Sequence, residues 1–206
     1  MEKVQVIPQV RTVLPRGQPP PTPWPAQGQW TYADWLRLPD DGYRYEVLNG
    51  VLYMTPPATV RHQKTLGSLA YAFTHFVRER RLGEVIVAPC GVRLPGHPVP
   101  VQPDILFVAA ARLDIVGENY VEGAPDLVVE VLSPSNWLYD RREKFQVYLA
   151  AGVPEYWIVD PRAGTIEVFW REGSEYVLQG CYETGQTVPS RALPGFAVAV
   201  DEVLGS

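Results

Sequence analysis

Residues 125–132 read Pro-Asp-Leu-Val-Val-Glu-Val-Leu, a β-rich apolar run opened by a proline–aspartate step. A second such step, Pro103-Asp104, opens the apolar run 105–108. Nearly continuous apolar runs of this length are typical of strands that are buried on both faces. We therefore predict two interior strands that each carry an acid: Asp104 at the start of the first, and Glu130 inside the second.

The flanking segments predict the rest of an α/β domain. Apolar residues recur at helical spacing over 60–81, and a second helix is predicted over 137–151. The Asn49-Gly50 dipeptide between two β-rich segments predicts a hairpin, and residues 84–94 predict a strand. The fold class that follows is an α/β domain with a mixed central sheet flanked by helices and an antiparallel C-terminal β extension.

Domain organisation follows from length and proline content. Residues 29–206 fit a single domain, since domains commonly span about 50–250 residues. Residues 1–28 hold seven of the 21 prolines and predict an extended arm. Its alternating valines leave a second possibility, which is pairing with the sheet edge of a neighbouring subunit.

Composition limits the classes of function and location. The net charge of −5 argues against a broad surface that coats nucleic acid, although a local basic cleft is compatible with it. The longest uninterrupted apolar run is too short to span a bilayer, so no membrane association is predicted. Cys90 and Cys181 lack CxxC spacing, which favours reduced thiols and a cytoplasmic protein.

The two acids suggest a metal site. Strands that lie side by side bring facing side chains to about 5 Å, and two carboxylates at that distance repel. A divalent cation removes this conflict, and oxygen ligands favour Mg²⁺ or Mn²⁺. On this argument, Asp104→Asn is expected to raise the stability of the metal-free protein by about 0.5–2 kcal/mol.

Lys144 is one of only three lysines and lies on the predicted helix that follows Glu130. Asp140, Lys144 and Tyr148 are spaced four residues apart, so they share one helix face. That face can bring the ammonium group over the carboxylates, where it could orient a water molecule or stabilise charge that develops at phosphorus.

Each of these residues also has a simpler structural interpretation. Asp104 could be ordinary turn chemistry at a strand start. Lys144 could be a solvated member of a surface pair with Asp140. Glu46, on the first strand of the hairpin, could face solvent, and His62 could serve only to start the long helix. Glu130 is the hardest to explain structurally, because it interrupts an otherwise apolar strand.

The motifs resemble a known nuclease family. Pro103-Asp104, Glu130 one strand later and a nearby lysine resemble the PD-(D/E)XK nuclease superfamily. More closely, residues 125–135 and 152–161, with Asp140, Lys144 and Tyr148 between them, resemble the Uma-two family of bacterial restriction-endonuclease-like proteins. The resemblance covers roughly residues 30–200. The superfamily has its lysine two residues after the glutamate, where this chain has Leu132, and the family resemblance assigns that role to Lys144.

The resemblance implies a metal-dependent phosphodiesterase that hydrolyses DNA. It implies Asp104 and Glu130 as ligands of Mg²⁺ or Mn²⁺, Glu46 as a further acid, and Lys144 as the catalytic lysine. The alternative is a catalytically silent nuclease-like domain that binds nucleic acid or a protein partner. The apolar C-terminal β region, with Phe169 and Trp170, also predicts a homodimer.

Overall fold

The structure, a computed structural model, describes residues 24–39, 41, 43–55, 57–133 and 143–205. Most of the predicted arm therefore lies outside the described residues. The last five residues of the arm, 24–28, lie against the first hairpin. The backbone N–H of Gly28 donates to the carbonyl of Gly50 at 2.8 Å, and the side-chain oxygen of Gln27 accepts from the N–H of Leu52 at 2.8 Å.

The described elements follow one another in an α/β order. They are α1 (Tyr32–Trp35), β1 (Arg44–Leu48), β2 (Val51–Thr55), α2 (Val60–Arg80), β3 (Gly83–Val87), β4 (Gly91–Arg93), β5 (Ile105–Ala109), a 3₁₀ helix (Ala110–Ile115), β6 (Tyr120–Glu122), β7 (Leu127–Val131), α3 (Phe145–Ala151), β8 (Glu155–Asp160), β9 (Thr165–Glu172), β10 (Glu175–Tyr182), β11 (Thr187–Pro189), β12 (Ala197–Ala199) and α4 (Val200–Leu204).

A six-stranded mixed sheet forms the centre, in the spatial order β10-β9-β8-β7-β5-β3. Strands β7 and β8 are parallel, and the other neighbours are antiparallel. The sheet confirms the predicted fold class, and it confirms that β5 and β7 are adjacent interior strands. Strands β1 and β2 form the hairpin predicted from Asn49-Gly50, where φ is +51° and +74°.

The central strands present alternate residues to two hydrophobic layers. On one face, Ile105 packs in a core cluster with Phe73 of α2. On the other face, Leu106 packs in a second cluster with Tyr148 of α3. Burial of an aliphatic or aromatic side chain stabilises by about 1.5–3 kcal/mol, so each layer holds its helix on the sheet. The central strands are thereby rigid supports for any polar residue at their ends.

One predicted element differs from the structure, and the predicted start of another lies outside the described residues. The strand predicted over 84–94 is wrong, because β3 ends at Val87 and residues 91–93 pair in parallel with β6 instead. Pro89 lies between the two strands and has no N–H with which to continue a ladder. The second helix is described from Phe145 to Ala151 and ends at Gly152, with φ +87°, whereas its predicted start lies outside the described residues. None of the described helices is long and apolar enough to cross a membrane.

Candidate active site

Glu46 is positioned by the β1–β2 hairpin. Side chains alternate along a strand, so Arg44 and Glu46 project from the same face of β1. Glu46 is 2% exposed, and its Oε1 accepts a hydrogen bond from the backbone N–H of Gln102 at 2.9 Å. The solvent-facing interpretation of Glu46 is therefore wrong.

Asp104 and Glu130 are brought together by the antiparallel pairing of β5 and β7. Ile105 lies opposite Val129. In this antiparallel register, Asp104, which precedes Ile105, comes opposite Glu130, which follows Val129, and their side chains lie on the same face of the sheet. Both carboxylates are buried, at 3% and 1% exposure. The backbone N–H of Val131 donates to Asp104 Oδ2 at 2.9 Å, which ties the Asp104 carboxylate to the end of β7.

Lys144 lies at the start of α3 and reaches two of the acids. Its Nζ is 2.9 Å from Glu130 Oε1 and 3.2 Å from Glu46 Oε2. Tyr148, one helical turn later, donates its hydroxyl to the same Glu130 oxygen at 2.7 Å. Lys144 is 1% exposed, so it is not a solvated surface residue. Asp140, predicted on the same helix face, lies outside the described residues.

Two further polar residues, which the sequence did not mark as functional, join the cluster. Arg44 Nη1 is 3.1 Å from Asp104 Oδ1, and His62 Nε2 is 3.4 Å from Asp104 Oδ2. The position of Arg44, two residues before Glu46 on one strand, could have revealed that the two share a face. His62 has no comparable signal, because the packing of the α2 N-terminus against β5 depends on the tertiary structure.

The environment affects the ionisation of the three acids differently. Burial, with the charges of Asp104 and Glu46, raises the pKa of Glu130 to about 7 even though Lys144 and Arg44 oppose the shift. Burial also disfavours ionised Glu46, but Lys144 and Arg44 outweigh it and lower its pKa. Asp104 is buried as well, yet the hydrogen bond from His62 and the charge of Arg44 hold its pKa well below the usual range. Glu130 is therefore the acid of this cluster that holds a proton nearest neutral pH.

The donor chemistry of the cluster fits a hard divalent cation. Three buried carboxylates meet in the cluster, and the pKa of Glu130 is raised first by its burial and then by the like charges of Asp104 and Glu46. A divalent cation relieves such repulsion. Each acid nevertheless already contacts a cationic side chain, and the described ranges contain no three His, Cys, Asp or Glu side chains spaced to hold one ion. Metal binding would therefore require Lys144 or Arg44 to give up part of its contact with the carboxylates.

A cleft of about 970 Å³ opens above this cluster. Arg44, His62 and Asp104 line it together with Gln102 and Ser133. The other members of the cluster, including Glu130 and Lys144, lie behind this floor and are almost fully buried. A ligand in the cleft would thus meet Asp104, Arg44 and His62 first.

Fold and cluster together define a restriction-endonuclease-like α/β domain. Residues 32–201 match the family described as "Uma2: Putative restriction endonuclease", and the chain belongs to this family. A solved structure described as a "putative nuclease belonging to DUF820" from Anabaena variabilis has the same fold, with a TM-score of 0.70 at 20% identity. The match covers 84% of this chain and 97% of the other. No curated protein matches the chain.

Proposed function

We propose that this protein is a divalent-metal-dependent endonuclease that hydrolyses phosphodiester bonds in DNA. The observation that carries the proposal is the convergence of Glu46, Asp104, Glu130 and Lys144 in one buried cluster, of which Asp104 lines a cleft. Buried charges of this kind cost folding free energy, so they are typical of sites where chemistry requires them. Membership of a restriction-endonuclease-like family supports the same conclusion, because such proteins generally use divalent metals.

Asp104 and Glu130 are the residues that would bind the metal, with Glu46 as a direct or water-mediated ligand. The ion that fits carboxylate oxygens is Mg²⁺ or Mn²⁺. A cation bound there would supply Lewis-acid stabilisation of the phosphate charge.

The protein's own groups would orient the acids and stabilise charge. Tyr148 fixes one oxygen of Glu130 through its hydroxyl, and Arg44 and His62 hold Asp104 in place. The Lys144 ammonium, which is held at two carboxylates, would move toward the negative charge that develops at phosphorus. Removal of these groups should therefore lower the rate of cleavage per folded molecule.

The direct test is incubation of the protein with plasmid, linear duplex and single-stranded DNA, in Mn²⁺ and in EDTA. We expect cleavage in Mn²⁺ alone, and its loss in Glu130→Gln. A matched control is Glu155→Gln, which changes an equally buried glutamate outside the cluster. Cleavage that persists in EDTA, or in Glu130→Gln, would contradict the proposal.

One observation favours a second function, which is a catalytically silent domain that binds nucleic acid or a protein partner. Each acid of the cluster already contacts the ammonium group of Lys144 or the guanidinium group of Arg44 without a metal. Titration calorimetry with Mn²⁺ on the wild type and on Glu130→Gln separates the two functions. The absence of a binding isotherm in the wild type would favour the silent domain.

We also propose that the protein acts in the cytoplasm as a homodimer. Strand β10 is an edge of the central sheet, and its Val177 and Leu178 are 38% and 50% exposed. Exposed apolar residues on an unpaired edge favour association with another chain. Phe169, by contrast, packs internally against Phe145. Light scattering that gives a monomer mass at micromolar concentration would refute the homodimer.

A further inference from the structure

The cleft above Asp104 has largely aromatic and apolar walls. Its aromatic lining residues are Trp35, Tyr43, Tyr45 and Tyr120. Its volume of about 970 Å³ is at the upper end of the range for small-molecule sites, about 300–1,000 Å³. This shape suits a narrow ligand with flat apolar parts, such as a few nucleotides of one strand.

Two of the aromatic rings can offer a face to such a ligand. Tyr43 is 44% exposed, beside Leu36, which is 59% exposed. Trp35 is held rigidly, because its indole N–H donates to the carbonyl of Tyr45 at 2.9 Å and its ring stacks on Tyr32. Rigid, partly exposed rings are the platforms on which unpaired bases stack.

The positive charge of the cleft is confined to its floor. Arg44 is the only lysine or arginine among the described lining residues. Its Nε and Nη2, and Nδ1 of His62, are buried and have no hydrogen-bond partner within the described part of the chain. Because an unpaired buried polar atom is costly, a rearrangement that brings a ligand oxygen to the Arg44 guanidinium group would be stabilising.

A single lining arginine together with several aromatic rings favours single-stranded over duplex DNA. Proteins that bind a duplex contact many phosphates, about 6–10 in a typical case, and stacked base pairs offer them only edges. One cationic floor under aromatic walls offers few phosphate contacts and several ring faces. That arrangement matches an unpaired strand, whose base faces are free.

We propose that the cleft binds an unpaired DNA strand, with one phosphate at Arg44 and His62 beside Asp104 and neighbouring bases stacked on Tyr43 and Trp35. The inference rests on the proposed nuclease function and specifies its substrate class.

The test measures binding in EDTA, so that cleavage plays no part. The probes are a fluorescently labelled 12-nucleotide thymidine strand and a hairpin duplex of equal length, followed by anisotropy. We expect the single strand to bind at least about tenfold tighter than the duplex, and Tyr43→Ala to weaken its binding by about tenfold. Tyr43→Phe should retain the affinity, because it keeps the ring.

The matched control is Tyr71→Ala, which removes an exposed tyrosine on α2 that does not line the cleft. Its affinity for the single strand should equal that of the wild type. If Tyr43→Ala does not fold, the wild-type preference for single strands decides the question alone. Equal or tighter binding of the duplex, or unchanged binding by folded Tyr43→Ala, would overturn the inference.

Cleavage then separates the two proposals. Tight, Tyr43-dependent binding of the single strand without Mn²⁺-dependent cleavage of any DNA would remove the nuclease function and keep the binding site. Mn²⁺-dependent cleavage of duplex DNA with no preference for single strands would keep the nuclease and remove the inference. Absence of binding to either probe would overturn the inference as well.

Discussion

Two buried glutamates lie on neighbouring parallel strands and differ in what surrounds them. Glu130 on β7 and Glu155 at the start of β8 are each 1% exposed, and burial raises the pKa of both carboxyls. Glu155 accepts hydrogen bonds from the indole N–H of Trp157 and the backbone N–H of Ala192, each at 2.6 Å. Glu130 instead faces Lys144 and two other acids.

The difference teaches that burial of an acid does not by itself define a site. Neutral donors can satisfy a carboxylate such as Glu155 and join two segments of the chain, which is a structural role. Around Glu130 the charges of both signs converge from β1, β5 and α3, and they lie under an open cleft. Convergence with access to a ligand is the feature that indicates chemistry.

The largest expected effect on cleavage comes from replacing each of the two glutamates by glutamine in a separate variant. Glu130→Gln should lower Mn²⁺-dependent cleavage by about a hundredfold or more, because the amide would weaken binding of the metal ion that stabilises transition-state charge. Glu155→Gln should leave the rate per folded molecule unchanged and lower the free energy of unfolding by about 1–3 kcal/mol, because a hydrogen-bonded buried acceptor is altered. Cleavage assays with urea unfolding on both variants measure this contrast.

If both variants lost cleavage equally at equal folded fraction, the comparison between the two glutamates would fail. If Glu130→Gln cleaved DNA normally, Glu130 would not belong to the active site.

Lys144→Met is expected to have the next largest effect. Cleavage should fall by about tenfold to a hundredfold, because the positioned ammonium group is removed. The variant should also lose stability, since the buried Glu46 and Glu130 would lose the cation that they share. Single-turnover cleavage at a temperature where both proteins are folded separates the two effects. An unchanged rate would remove Lys144 from the active site.

Most of the sheet follows from the sequence, because it depends on local patterns. The apolar runs after Pro103-Asp104 and Pro125-Asp126 form β5 and β7, and Asn49-Gly50 forms the first turn. Adjacency of β5 and β7 follows from the same runs, and so does the meeting of Asp104 with Glu130. The prediction of one strand over residues 84–94 was wrong because apolar residues continue past Pro89, whereas Pro89 has no N–H with which to continue the hydrogen-bonded ladder.

The candidate site could be predicted only in part, for a physical reason. Acids in apolar strands stand out in a sequence, because their burial is costly. Arg44 and His62 do not stand out, since an arginine at a strand start and a histidine at a helix start are ordinary surface residues. Their contacts with Asp104 arise from the packing of β1 and α2 around β5, and a local pattern does not contain that packing.

The pH dependence of stability should distinguish Glu130 in the metal-free protein. Its pKa is about 7 in the folded protein and 4.5 in the unfolded chain. Between these values the folded state binds more protons, so stability falls as the pH rises. The fall should total about 3 kcal/mol by pH 8. Urea unfolding in EDTA at pH 5, 6, 7 and 8 should show this decline in the wild type and a shallower decline in Glu130→Gln.

Glu155, whose pKa burial also raises, contributes a decline of the same sign to both proteins, so only the difference between them reports on Glu130. Parallel pH profiles for the wild type and Glu130→Gln would contradict the raised pKa of Glu130.

The smallest change in the stability of the metal-free protein is expected from Asp104→Asn. The contacts in the structure reverse the sign that like-charge repulsion alone predicts. Asp104 contacts Arg44, His62 and the N–H of Val131, and these contacts lower its pKa. A carboxyl with a lowered pKa contributes stability above its unfolded pKa near 4, and this stability is lost as the pH falls. The variant should therefore be less stable than the wild type by about 1–2 kcal/mol at pH 7 in EDTA, and equally stable in strong acid.

Thermal melts with Mn²⁺ complete the test of Asp104, because a metal that binds only the folded protein raises its stability by mass action. The wild type should gain stability in Mn²⁺, and Asp104→Asn should gain much less. A variant that is less stable in EDTA yet gains as much as the wild type in Mn²⁺ would identify Asp104 as a purely structural partner of Arg44, and Glu130 would then have to hold the metal with Glu46. A variant more stable than the wild type in EDTA would show that repulsion among the three acids outweighs the contacts with Arg44 and His62.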